Sequence, residues 1–150
     1  MKKINKQAGF TLIELIMVIV ILGVLSAFAL PRFADLGQNA RAATVEGAVA
    51  SVKSAANIAH AQWLAEGDAA SLEVTLEGVD IAMVNGYPSK DSIDEAAGII
   101  ADDYDITVGT TNDVTIDAKG ATTAATCRVT YTEAAAVNSS PTFAVDTGGC

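Results

Sequence analysis

Glu14 is the one carboxylate in an otherwise apolar run, residues 10–30, where only Thr11 and Ser26 are also polar. A charged side chain costs on the order of 2.5–3.5 kcal/mol at the centre of a membrane helix, and less near its edge, where it can snorkel. A carboxylate so placed counts against a plain anchor and calls for a partner. The other residue types able to do chemistry are scattered. His60 is the only histidine, and Cys127 and Cys150 are the only cysteines, neither in a CxxC pair. That set does not make a zinc site. Asp102, Asp103 and Asp105 in "DDYD" could approach calcium, but the stretch lacks the glycine and distal glutamate of an EF-hand; a solvated acidic turn is the simpler reading. The serines have no neighbouring base pattern, and no Gly-rich phosphate loop or CxxCH haem site occurs. The residues therefore point to no enzyme and no cofactor. His60, three residues before Trp63, reads as a surface or interface histidine, and the aromatic side chains are too sparse along the chain to conduct electrons.

Charge and length frame these residues. The chain has 150 residues, 51% hydrophobic and 18% charged, room for one domain of modest core. Lys2, Lys3 and Lys6 open it, and all 18 acidic side chains come after Gly9. Without residues 1–9 there remain 6 basic and 18 acidic groups, a net charge of −12. Such a body repels phosphates, which argues against a nucleic-acid partner, and suits a solubilising surface.

The apolar run spans 21 residues, about 31 Å as a helix, close to a bilayer core of about 30 Å. Lysines before it and acids after it place its N-terminus in the cytoplasm and the body outside. Pro31 lacks an N–H and crowds the carbonyl of Ala27, so a kink or loosening is expected there, with Gly23 as a second weak point. Helical periodicity then resumes: Val45, Val49, Val52, Ala56, Ala59 and Trp63 form one stripe, with Arg41, Glu46 and Lys53 on the other face. Gly67 suits a stop. A helix over residues 10–66 would be about 85 Å long, too long for so small a domain to bury. Its first half must find partners in membrane or in other subunits.

Beyond Gly67 the pattern turns to β. Strands are expected at 72–77, 79–84, 106–110, 113–118, 127–132 and 142–146, with turns at 85–88, at Asn112 and Asp113, and at Lys119 and Gly120. Ser92 followed by Glu95 reads as a capping box for a short helix to about Ala101. Residues 121–126 and 134–140, rich in Thr and Ala, read as surface loops. The fold class is α+β, an antiparallel sheet laid on the stripe of the second half-helix. If the body is exported, Cys127 and Cys150 can pair; a bridge around 22 intervening residues would contribute about 3 kcal/mol.

Three readings compete for the first 31 residues. A secretory signal cut after Ala29 fits "Ala27-Phe28-Ala29" but not the length of the run or Glu14. A plain anchor is again opposed by Glu14. The third rests on "KQAGFTLIELIMVIVILG", which resembles the prepilin signal of type IV pilins and the related pseudopilins. That resemblance implies a leader of residues 1–9 and cleavage between Gly9 and Phe10 by a membrane-embedded prepilin peptidase. It further implies N-methylation of Phe10 and retention of the apolar half-helix, 10–31, followed by an amphipathic half, 32–66. Gly23 and Pro31 sit where type IVa pilins carry helix-weakening residues. Residues 67–150 resemble the headgroup of that family, an antiparallel sheet with a cysteine-closed terminal loop. "PRFADLGQNAR", "NGYP", "CRVTYTEA" and "FAVDTGGC" are similar to mannose-sensitive haemagglutinin pilins.

The resemblance implies a helical homopolymer, extruded by a pilus assembly machinery from the inner membrane of a Gram-negative bacterium as an extracellular fibre for attachment or motility. The amine of Phe10 on an incoming subunit would meet Glu14 of a neighbour, each offsetting the desolvation of the other. A pseudopilin of a type II secretion system shares these features and is the alternative; the terminal cysteine loop favours a pilin.

Overall fold

A computed structural model describes residues 9–67, 72–137 and 139–150. The lysines of the basic leader lie outside the described residues. The chain divides into two units, Met1–Gly37 and Gln38–Cys150. One 55-residue helix, α1 (Leu12–Glu66), contributes to both.

In the first unit, every apolar side chain from Phe10 to Leu36 that is large enough to pack is exposed. Leu15 is 62% accessible, Val20 59% and Phe33 71%. The run is made of residues that tolerate a helix, and its hydrogen bonds close within the segment, so it forms without a core. Pro31 lies inside α1, and the helix continues through it. The expected interruption is thus confined to one missing bond, the N–H that would have reached the Ala27 carbonyl.

In the second unit the same helix is half buried. Val45, Ala48, Val52, Ala55, Ala56 and Ala59 are each 6% accessible or less. Val49 and Trp63 lie at the margin of the stripe. The seam is therefore wider than expected, and Ala48 and Ala55 complete it at helical spacing. Its alanines let strands approach closely.

Two antiparallel sheets, not one, cover that seam. The first has the order β1-β2-β3, formed by β1 (Glu73–Leu76), β2 (Val79–Val84) and β3 (Tyr87–Pro88). The second has the order β4-β5-β6-β7, formed by β4 (Tyr104–Val108), β5 (Asp113–Ala118), β6 (Arg128–Thr132) and β7 (Thr142–Asp146). Val45, Val52 and Ala56 pack with Val114, Ile116, Val129 and Tyr131 of the larger sheet. Ala59 packs with Val74, Ile81 and Met83 of the smaller. The Tyr131 hydroxyl donates to the Pro88 carbonyl at 2.6 Å, joining the sheets.

Two tight hairpins set the first sheet. Leu76 pairs with Val79 around Glu77 and Gly78, and Val84 with Tyr87 around Asn85 and Gly86. Both central residues of each turn have positive φ (51° and 86°, then 54° and 85°), the signature of a type I′ turn. Asn85 and Gly86 suit it. Glu77 does not: left-handed backbone costs a residue with a Cβ about 1–2 kcal/mol. Tyr87 and Pro88, expected in the turn, already form β3.

The helix expected to reach Ala101 is one turn, α2 (Ile93–Ala96). Ser92 makes no capping bond; its hydroxyl donates to the Ala82 carbonyl and meets Ser89 instead. Strand β4 begins two residues earlier than expected, at Tyr104. Asp113 belongs to β5 rather than to a turn. Residues 124–126 form a short 3-10 turn inside the expected loop.

Candidate functional site

The N-terminus of α1 is built from four consecutive residues, Thr11-Leu12-Ile13-Glu14. Thr11 precedes the helix. Its backbone N–H and its hydroxyl both donate to Glu14 Oε2 at 2.8 Å, and the Glu14 N–H donates back to the Thr11 hydroxyl at 3.3 Å. This is a capping box, Thr-x-x-Glu, which satisfies orphan donors at the helix start reciprocally. Its signal was present in the sequence, masked by the apolar run on either side. Phe10 stands just before it, 96% exposed. Farther along, the Ser26 hydroxyl donates to the Leu22 carbonyl at 2.7 Å. Each of the three polar side chains of the run thus has a hydrogen-bond partner within four residues, while the Glu14 carboxylate keeps a charge that these bonds do not neutralise. A Cβ on Gly23 would meet nothing within 4 Å, so no packing inside the chain requires glycine there.

In the second unit Cys127 and Cys150 form a disulfide, and both are buried in the main core. The Gly149 N–H donates to the Thr126 carbonyl, and the Thr123 N–H to the Gly149 carbonyl. Arg41, expected on the outer face of the helix, turns its guanidinium to the Cys150 carbonyl at 2.5 Å. Beside this loop Arg128 pairs with Asp117, its cross-strand partner: Nη2 donates to Oδ2 at 2.9 Å, and Nε lies 2.7 Å from Oδ1 as a charge contact without hydrogen-bond geometry. The opposite charge offsets the cost of burying this carboxylate.

His60 is a structural side chain. Its Nδ1 lies 2.7 Å from the Gly86 carbonyl, which can only accept, so Nδ1 carries the proton. Its ring stacks on Tyr87 at 4.1 Å. Gly86 is required twice over: its φ is +85°, and a Cβ there would come within 3.0 Å of the Trp63 ring. Of the three aspartates in "DDYD", Asp105 lies in β4 with the Lys119 ammonium at 4.0 Å. Among the described residues no three potential ligands gather as a metal site.

The structure thus brings Phe10, Thr11 and Glu14 into one turn and joins Cys127 to Cys150.

The family model for the prokaryotic N-terminal methylation motif matches residues 4–30. The chain is similar to the type IV narrow pilus major component PilA5 of Thermus thermophilus, 53% identical over 57 residues, 38% of this chain and 49% of that protein. It is similar to the type IV major fimbrial protein FimA of Dichelobacter nodosus, 37% identical over 100 residues, 57% of this chain and 60% of that protein. It also resembles the type II secretion system core protein G of Vibrio cholerae, 56% identical over 32 residues, 21% of this chain and 22% of that protein. The chain spans about half the length of the pilus and fimbrial relatives it matches. No solved structure matches it. The chain thus joins a prokaryotic N-terminal methylation motif to a long helix on antiparallel sheets, and over part of its length it is similar to major type IV pilins.

Proposed function

We propose that this protein is the structural subunit, the major pilin, of a type IV pilus. The observation that carries the reading is the exposed apolar half-helix, residues 10–30, with its single carboxylate, Glu14, held at the first turn. That surface is stable only in lipid or among copies of itself. The basic leader, residues 1–9, is removed between Gly9 and Phe10 by a prepilin peptidase. Phe10 becomes the methylated N-terminus. The segment 10–31 holds the subunit in the inner membrane and then lies in the filament core; 32–66 carries the headgroup, 67–150, outward. In this reading the new amine of Phe10 docks on Glu14 of a neighbouring copy, and a subunit at the wrong depth leaves that charge unpaired. Gly23 and Pro31 give the helix places to stretch as it leaves the bilayer.

Pilus assembly proteins deliver the subunit to an extracellular fibre, for attachment or motility. The words shared with mannose-sensitive haemagglutinin pilins support a fibre of that adhesive kind. The similarity to the secretion-system core protein supports a second reading, a pseudopilin, over the N-terminal 32 matched residues.

Mass spectrometry of the mature N-terminus tests the proposal. Methylated Phe10 is the expected result, and a chain beginning at Leu30 would overturn it. Electron microscopy of sheared cell surfaces separates pilin from pseudopilin: long fibres containing this chain are expected of the pilin.

A further inference from the structure

Six basic side chains follow residue 9, and five are engaged in the body. Arg41 holds the Cys150 carbonyl, and Lys53 lies 5.7 Å from the centre of the Phe143 ring. Lys90 donates to the carbonyls of Gly109 and Thr111, Lys119 to that of Ala101, and Arg128 grips Asp117. Arg32 is different. Among the described residues it makes no hydrogen bond, ion pair or ring contact, although Asp35 lies one turn ahead on the same helix. Phe33 and Leu36 beside it are 71% and 63% exposed. An unpaired guanidinium next to an uncovered aromatic ring has the composition of an interface anchor.

The second unit carries a complementary surface. A hollow of about 370 Å³ lies between Ala55 and Ile58 of α1 and Leu76 and Val79 of the first hairpin, with Glu77 and Glu95 at its edge. Ile58 is 57% exposed and Val79 38%. Both carboxylates are exposed and without a partner among the described residues. Glu77 also occupies a left-handed turn position that asparagine or glycine would fill at lower cost. A residue kept against its backbone preference points to a use for its side chain. The aromatic hollow beside His60 has no carboxylate on its lining and does not match Arg32.

We infer that Arg32 and Phe33 of one copy dock in this groove on a second copy, the ring covering Ile58 and Val79 and the guanidinium meeting Glu77 and Glu95. The inference rests on the self-assembly proposed above and names a contact beyond Phe10 and Glu14. It gives the acidic body a specific cationic partner in the same chain type.

The test replaces Phe33 with photoreactive p-benzoylphenylalanine in the full chain, in cells that assemble it. Irradiation is expected to yield a dimer whose linkage maps to residues 55–58, 76–81 or 95–98. Adding Arg32→Glu should lower the dimer yield about tenfold by setting like charges together. Adding Glu77→Lys and Glu95→Lys to that variant should restore it. No dimer, linkage to another region, to lipid or to a different protein, or a yield indifferent to Arg32→Glu would overturn the inference. Fibres counted in the same cells report on the pilus reading separately: fibres with linkage elsewhere leave that reading intact and remove only this contact.

Discussion

Val20 and Val52 lie on the same helix, and their environments are opposite. Val20 is 59% exposed, whereas Val52 is fully buried against the larger sheet. The backbone bonding is the same around both, so helix formation does not distinguish the two halves of α1. What differs is the solvent each half is made for. Residues 38–66 bury a narrow seam of valine and alanine inside the chain, while residues 10–36 leave their apolar surface for something outside it.

The sharpest way to break that contrast is Glu14→Ala. On the proposed pairing it removes one partner of a desolvated ion pair, and assembly should fall about a hundredfold or more. Fibres in the sheared fraction measure this, and the melting temperature of the detergent-solubilised chain should stay unchanged. Next in size is Cys127→Ser with Cys150→Ser. Loss of the bridge should cost the body about 3 kcal/mol, seen as a lower denaturant midpoint. The paired substitutions Val52→Ala and Val20→Ala test the comparison directly. The first should cost about 2 kcal/mol through lost burial and a cavity; the second should stay within about 0.5 kcal/mol.

Tyr131 offers a smaller effect with a pH signature. Burial first, then the charge of Glu133 and the neighbouring Tyr87, raise its phenol above the usual range. The neutral form is favoured in the fold, so its contribution is whole below about pH 10, the unfolded value, and is lost as pH rises beyond it. Tyr131→Phe should cost about 1–2 kcal/mol at neutral pH by orphaning the Pro88 carbonyl, and should flatten the alkaline decline in melting temperature. Thr11→Val should have a local effect, breaking the capping box for about 1 kcal/mol. Faster hydrogen exchange at the first turn of α1 in micelles would register it.

Much of this was legible because it is local. The apolar run, the stripe at Val45, Val52, Ala56 and Ala59, and most strand positions follow from periodicity alone. Ala48 and Ala55 escaped because alanine is equally at home on an exposed helix face. The division into two sheets escaped because strand pairing joins residues far apart in sequence: nothing at Tyr131 announces the Pro88 carbonyl. Arg41 was read as an outward-facing charge, since its target is a carbonyl 109 residues away. Ser92 and Glu95 carried a capping signature without forming one: the Ser92 hydroxyl faces the Ala82 carbonyl and the Ser89 hydroxyl instead. Thr11 and Glu14 carried the same signature and used it. In the candidate site, the motif residues were readable as a word, whereas the bond between them became visible only in three dimensions.

That bond changes the arithmetic of docking. A carboxylate already holding the Thr11 N–H and hydroxyl does not wait bare for an incoming amine. Both donors sit on Oε2, so on the proposed pairing the amine joins a carboxylate that its own helix turn already holds in place, and the position of that charge is fixed before a neighbour arrives.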